Sequence, residues 1–434
     1  MNDPMPQPLT PTRDAMIYIP GLGGNEPNQS IGMMARRIAA ALDRQALSGE
    51  ASFSINSVQD EEVSNTKMRM VTISRRDGQS TVPIIDLYGL EYMDLLKGEY
   101  ARKSPFFQAM TILTTLVMNL GSLIGSLGRP SKTIPEKVQI FWGGLFFVFL
   151  ALYMLLTLFT VAYTAWNALQ SGVVVNGAVP NLNQTLGNLA NPIATPIWLY
   201  WFQLGTLATG STYLFSQFNI KDVLSMVAAD LSSSINYLSV GERAGAVGGL
   251  FSALLEHIVE KGAVAGGVRY NEIHILAYSF GSIVAIDSLF PTELFSQRIH
   301  KMGTLVTIGC PFDMIRTYWP EYFSGRYGAP GIPRKWINFY NAADVLASNF
   351  WDDGHKGKPA VAVGIQLQGV IEPRIPESIP FRSTKTMKEY NFLAYLALIG
   401  FRMHSRYWEA EMTNDRNCFD PIVNAIYGGT DVLS

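Results

Sequence analysis

Ser279 stands in "HILAYSFGSIV", with Ala277 two residues before it and Gly281 two residues after. A serine becomes a nucleophile when a base takes its proton and an acid orients that base. Small residues at −2 and +2 suit a serine held out on a sharp strand-to-helix turn, where larger side chains would collide. Ser-x-Gly occurs four times, at Ser30, Ser126, Ser239 and Ser279. The first three have Asn28, Ile124 and Tyr237 at −2, so only Ser279 carries the small pair. It is also the only one with a strand pattern before it and a helix pattern after it.

In the fold that carries such a turn, the acid and then the histidine follow the serine in chain order. The chain has five histidines. His257 and His274 precede Ser279, and His274 lies inside a strand pattern and reads as structural. His300 comes before any acid candidate. His355, in "WDDGHKGKPA", belongs to a polar loop of the kind that faces solvent. His404, in "IGFRMHSRYWEAE", ends an apolar helix-like run and is the preferred base. Asp344 follows the strand pattern "WINFY" and is the preferred acid. Asp313, in "GCPFD", is the rival, with Asp352 and Asp353 behind it. An Asp at Asp313's position is also well suited to capping a helix or turn.

Negative charge developing on a carbonyl oxygen needs two backbone N–H groups aimed at it. Phe280, directly after the serine, supplies one. The other is assigned to Leu22, with Gly23 the alternative, in "IPGLGG". Glycines there let the backbone come close to a substrate.

These residues need elements to position them. "DAMIYIPGLGGN" reads as a buried strand running into a Gly-rich loop, and "IGMMARRIAAALDRQ" as a helix. "MRMVTISRRD" and "STVPIIDLYGLEYMDLL" read as further strands. Later, "KDVLSMVAADLSSSINYL" and "RAGAVGGLFSALLEHIVEKGAV" read as helices. "MGTLVTIGCPFD", "KWINFYNAADVLAS" and "AVAVGIQLQGVI" complete the strands. Strands alternating with helices predict a mainly parallel sheet covered on both faces. A dinucleotide loop is disfavoured because "GLGGNE" lacks the G-x-G-x-x-G spacing.

Charged residues make up only 16% of the chain, against about 25% in ordinary soluble domains. The deficit is local: positions 138–220 hold no Asp, Glu, Lys or Arg. Val138–Trp166 is long and apolar enough to cross a bilayer, for which about 20 residues suffice. The 14 Ile, Leu, Phe and Val residues from Ile140 to Val161 favour insertion by about 4–8 kcal/mol. Ile193–Phe215 is a second expected span and Phe106–Leu127 a third candidate. Arg129, Lys132 and Lys137 precede the first span and Lys221 follows the second, so the positive-inside rule puts both flanks in the cytoplasm. The sheet draws strands from both sides of the insertion, which must therefore cross an even number of times. Phe106–Leu127, with its Thr, Asn and Gly content, is assigned to the interface. The expected organisation is 1–104 and 219–434 as two parts of one catalytic domain, with 105–218 as a membrane insertion.

The net charge of −2 points to no nucleic-acid partner. Two cysteines, Cys310 and Cys418, give neither a disulfide framework nor a Cys-based zinc site. The N-terminal "MNDPMPQPLTPTRDA" has no signal-peptide pattern.

The motifs "IYIPGLGG", "IHILAYSFGS", "LVTIGCPFD", "WINFYNAAD" and "HSRYW" together resemble the α/β-hydrolase superfamily, and within it membrane-attached, lipase-like serine hydrolases. One departure is Ala277, where the family pattern most often has Gly. The resemblance implies an α/β-hydrolase fold interrupted by a transmembrane hairpin. It implies hydrolysis of an ester or thioester through an acyl-enzyme on Ser279, with no metal and no cofactor. An anchored enzyme is concentrated next to acyl lipids, which makes them the expected substrates and the bilayer the expected partner. A catalytically silent scaffold with a membrane interaction module, and an acyltransferase or thioesterase, are the alternative expectations.

Overall fold

The computed structural model describes residues 13–22, 27–46, 51–96, 233–238, 241–261, 270–290, 302–319, 321–323, 333–341, 344, 346–350, 377–380, 403–404, 406–408, 417–430 and 432, with single positions at 114, 121, 124 and 125. β1 (Arg13–Ile19) is buried on both faces. Ala15, Ile17 and Ile19 enter one core, and Met16 and Tyr18 enter the other. A strand covered on both sides needs this continuous apolar run. α1 (Pro27–Gln45) follows, with Ile31, Met34, Ala35, Ile38, Ala41 and Leu42 as its buried stripe. That spacing is one face of a 3.6-residue helix.

β2 (Ala51–Val63), β3 (Thr66–Asp77) and β4 (Ser80–Gly89) form an antiparallel meander. Ser64 and Asn65 join the first pair, both at positive φ (49° and 63°), as a two-residue hairpin turn of the favoured twist requires. The sequence patterning misses β2 because only Phe53 and Val63 are buried along it. Then come α2 (Glu242–Lys261), β5 (Tyr270–Tyr278), α3 (Phe280–Leu289), β6 (Met302–Ile308) and α4 (Phe312–Tyr318). β7 (Lys335–Tyr340), β8 (Glu377–Pro380), a 3-10 turn at Arg406–Trp408 and α5 (Phe419–Tyr427) complete the described elements.

The result is an α/β architecture with one eight-stranded sheet in the order β2-β3-β4-β1-β5-β6-β7-β8. The two pairings of the meander are antiparallel and the other five are parallel. α1 and α5 share the core on one face, and α2 and α3 share the core on the other. β1 pairs with β5 from Arg13↔Tyr270 to Ile19↔Ala277, so strands from before and after the expected insertion lie side by side. After β1 the chain crosses to the edge strand β2 and returns through β3 to β4 beside β1, whereas from β5 it builds outward the opposite way to β8. The loops at the C-terminal ends of β1 and β5 therefore flank a switch point, where open α/β sheets bind ligands.

The expected strand "AVAVGIQLQGVI" lies outside the described residues, as does "KDVLSMVAADLSSSINYL" except for a helical stretch at 233–238. Most of the expected membrane insertion also lies outside them. In Phe106–Leu127 only Thr114, Gly121, Ile124 and Gly125 are described, all helical and exposed. No helix among the described residues is long and apolar enough to cross a membrane. The chain divides into two compact units: Tyr100–Met118 with Leu145–Ser232 form one, and the remainder forms the other.

A buried polar cluster joins the two parts of the sheet. Asp86 of β4 is fully buried, accepts hydrogen bonds from Thr72 and Tyr270 at 2.7 Å each, and pairs with Arg13 at 3.1 Å. The single Tyr270 proton is spent on Asp86, so the Tyr88 hydroxyl donates to Tyr270, also at 2.7 Å. Thr72 and Tyr88 come from the meander, and Tyr270 opens the strand that leads to Ser279. Removing one partner of a buried ion pair strands the other. We expect Asp86→Ala to lower stability by about 3 kcal/mol in urea unfolding. A loss under about 1 kcal/mol would show that the cluster does not tie the two parts together.

Candidate active site

β5 ends at Tyr278 and α3 begins at Phe280, so Ser279 must turn the chain alone. It does so at φ 54° and ψ −128°, a region costing a non-glycine residue of order 1–3 kcal/mol. The Ser279 N–H donates to the Ile308 carbonyl at the end of β6 at 2.8 Å, and the Ser279 carbonyl accepts from the Ser282 N–H at 2.9 Å. The turn is thus held on both sides. Gly281 and Gly21 have a steric cause. A Cβ on Gly281 would lie 2.3 Å from the Ile19 carbonyl oxygen and 2.4 Å from that of Pro20. A Cβ on Gly21 would lie 2.6 Å from the Cβ of Ser279. The loop after β1 therefore presses directly against the serine.

His404 and Asp344 meet Ser279 in one hydrogen-bonded line. The Ser279 hydroxyl lies 2.7 Å from His404 Nε2, and His404 Nδ1 lies 2.8 Å from Asp344 Oδ2. With Nδ1 donating to the carboxylate, Nε2 is left as the acceptor for the serine proton. Asp344 is buried, and its other oxygen, Oδ1, accepts from the Leu346 N–H at 2.9 Å. The imidazole stacks on Tyr278, with ring centroids 5.3 Å apart at 25°. The Tyr278 hydroxyl donates to the His404 carbonyl at 2.7 Å, so one tyrosine fixes both ring and backbone. Gly309 turns the chain after β6 at φ 59°, and a Cβ there would lie 3.0 Å from His404 Cε1.

The rival acid is not brought to the histidine. Asp313 sits in the first turn of α4, where its N–H donates to Ser348 Oγ at 2.6 Å and its carboxylate lies 3.4 Å from Arg316. Its side chain makes no capping hydrogen bond; it pairs with Arg316 in the acid-favouring first turn of the helix. His274 is buried, with Nδ1 accepting from the Thr304 N–H at 3.0 Å, and His257 pairs with Glu61 at 2.8 Å. Both are structural. His300, His355, Asp352, Asp353 and Gly23 lie outside the described residues.

Phe280 is the first residue of α3, so its N–H has no intrahelical acceptor and sits at the positive end of the helix dipole. Leu22 follows the Gly21 contact and is half-buried against the core. The Pro20 carbonyl in the same loop accepts from the buried Tyr92 hydroxyl at 2.5 Å, which anchors the loop beside the serine. Burial pushes the thiols of Cys310 and Cys418 well up, so neither supplies a thiolate to rival the serine. Among the described residues no group of His, Cys, Asp and Glu side chains could hold a metal ion.

The sequence does not announce Tyr407. It is fully buried, donates to Asp344 Oδ2 at 2.8 Å, and accepts from the Asn341 N–H at 3.0 Å. Its position three residues after His404, in "HSRYW", is the one signal that could have found it.

The glycine contacts give a sharp test. Gly281→Ala should reduce the reactivity of Ser279 toward a fluorophosphonate at least about 100-fold, because the shift needed would disturb both amide-bearing loops. Gly249→Ala in α2 is the control: its Cβ would meet nothing within 4 Å, and it should raise stability by about 0.5–1 kcal/mol. Wild-type reactivity in Gly281→Ala would refute the close packing of β1 on α3.

No protein-family model, curated protein or solved structure matches this chain.

Proposed function

We propose that the protein is a membrane-anchored serine hydrolase of the α/β-hydrolase fold, cleaving carboxylic esters of acyl lipids through an acyl-enzyme on Ser279. The observation that carries this reading is the line from Ser279 Oγ to His404 Nε2 and from His404 Nδ1 to Asp344, with the serine on a strained strand-to-helix turn. The Ser-Asp-His chain order and the central place of β5 also support it.

In this mechanism His404 takes the Ser279 proton as Oγ attacks the ester carbonyl. Asp344 stabilises the imidazolium that forms. The amides of Phe280 and Leu22 receive the oxyanion. His404 then protonates the leaving alcohol, and water, deprotonated by the same histidine, releases the acid. The lipid substrate and the cytoplasmic placement of the catalytic domain rest on the charge-free stretch at 138–220 and its basic flanks.

Ser279→Ala should abolish turnover of short p-nitrophenyl esters while leaving folding and membrane attachment intact. Asp344→Asn should lower kcat by up to about 10⁴-fold, and Asp313→Asn should leave it within a few-fold. Turnover by Ser279→Ala at the wild-type rate would remove the nucleophile. A silent wild-type protein in native membranes would favour the scaffold reading. An active Asp344→Asn beside a silent Asp313→Asn would move the acid by one strand.

The anchor has its own test, in a variant with Cys310 and Cys418 replaced by alanine. A cysteine replacing Ser171 should react with an impermeant thiol reagent from outside, and one replacing Asn2 should not. The reverse pattern overturns the topology.

A further inference from the structure

We propose that Tyr407 is the positioning residue of this site, fixing both the orientation of Asp344 and the charge that carboxylate presents to His404. The inference rests on the serine-hydrolase reading above. His404 Nδ1 and the Tyr407 hydroxyl both reach the same oxygen, Asp344 Oδ2, at 2.8 Å each. The phenol has one proton and also receives the Asn341 N–H at 3.0 Å. With that lone pair occupied, its own proton must point at Asp344. Asn341 opens the turn that carries the acid, since the Asp344 N–H donates to the Asn341 carbonyl at 2.9 Å. One buried hydroxyl therefore ties the start of the acid's turn, the acid's carboxylate and the segment bearing the base.

Two consequences follow. The carboxylate cannot rotate away from the imidazole while Oδ1 is held by Leu346 and Oδ2 by Tyr407. The phenol also draws negative charge from the oxygen that faces the imidazole. A carboxylate without that donor would hold an imidazolium more firmly and delay its return to the neutral base.

The surroundings make this readable by pH. Tyr278 at the end of β5 faces the pair directly, stacking on His404 and lying near Asp344; behind it stand Tyr18 of β1 and Cys418 before α5, and Cys418 has Arg37 of α1 and Asp420 beside it. Burial, then the charge of Asp344, pushes the hydroxyls of Tyr278 and Tyr407 well up, and burial does the same for the Cys418 thiol. Tyr278, Tyr407 and Cys418 therefore stay neutral through the working range.

The test is the rate of Ser279 labelling by a fluorophosphonate probe, followed across pH on the full-length protein in membranes. Three forms are compared: wild type, Tyr407→Phe, and Tyr407→3,5-difluorotyrosine placed at that position alone. Tyr407→Phe should label about ten-fold more slowly at neutral pH. Its half-maximal pH should move upward, with the concentration of probe needed for saturation unchanged. Difluorotyrosine is a stronger donor of the same shape, so its half-maximal pH should move downward. If Tyr407→Phe loses its thermal unfolding transition, the difluorotyrosine arm decides alone. Difluorotyrosine with an unmoved midpoint, or a folded Tyr407→Phe with the wild-type profile, overturns the assignment and leaves the hydrolase reading standing. A wild-type protein that never labels at Ser279 removes the hydrolase reading itself, and this inference with it.

Discussion

A serine at φ 54° and ψ −128° holds only if the strand before it and the helix after it cannot relax. Here both are pinned. β5 is paired on each side, to β1 and to β6, and α3 is pressed onto the carbonyls of Ile19 and Pro20 with no room for a Cβ at Gly281. The whole site depends on that contact. It brings the loop after β1 to the serine. It leaves the Phe280 amide at the open end of α3. It presents the hydroxyl above the sheet, where a side chain from a distant part of the chain can reach it.

The remaining partners come from elements that follow in order across the sheet. β6 supplies the Ile308 carbonyl and the Gly309 turn, β7 leads to Asn341 and Asp344, and the described residues 403–404 and 406–408 supply His404 and Tyr407. Each step is fixed by a named hydrogen bond. Among the described residues, aromatic rings enclose the histidine: Tyr278 stacks on it, Tyr407 stands edge-on, and Trp408 packs against Tyr278. Such rings exclude water from the Asp344–His404 bond, which strengthens it. The buried cluster around Asp86 serves the same end from farther off, since Tyr270 begins the strand that ends at the serine.

Some of this was legible in the sequence, for physical reasons. Buried parallel strands read as apolar runs, so β1, β5, β6 and β7 stand out. Gly281 stands out because sterics demand it. Asp344 and His404 follow from chain order and from the strand before the acid. β2 did not, because an edge strand with two buried side chains lacks the signal. α5 did not, although its Phe419, Ile422 and Val423 are buried, because a nine-residue helix offers few turns of periodicity. Tyr407 and Asn341 did not, because a hydroxyl and an amide 66 positions apart leave no local pattern. The expected membrane spans lie outside the described residues, so the anchor rests on the charge-free sequence itself.

Trapping the acyl-enzyme tests the central claim most directly. The full-length protein would be mixed with a slowly deacylated ester, quenched in acid, digested and read by mass spectrometry. The expected result is one acyl group on the peptide containing Ser279, fragmenting to that residue and absent from Ser279→Ala. An acyl group on Ser282 or Cys310 instead, or none on any residue while ester is still consumed, would contradict the account.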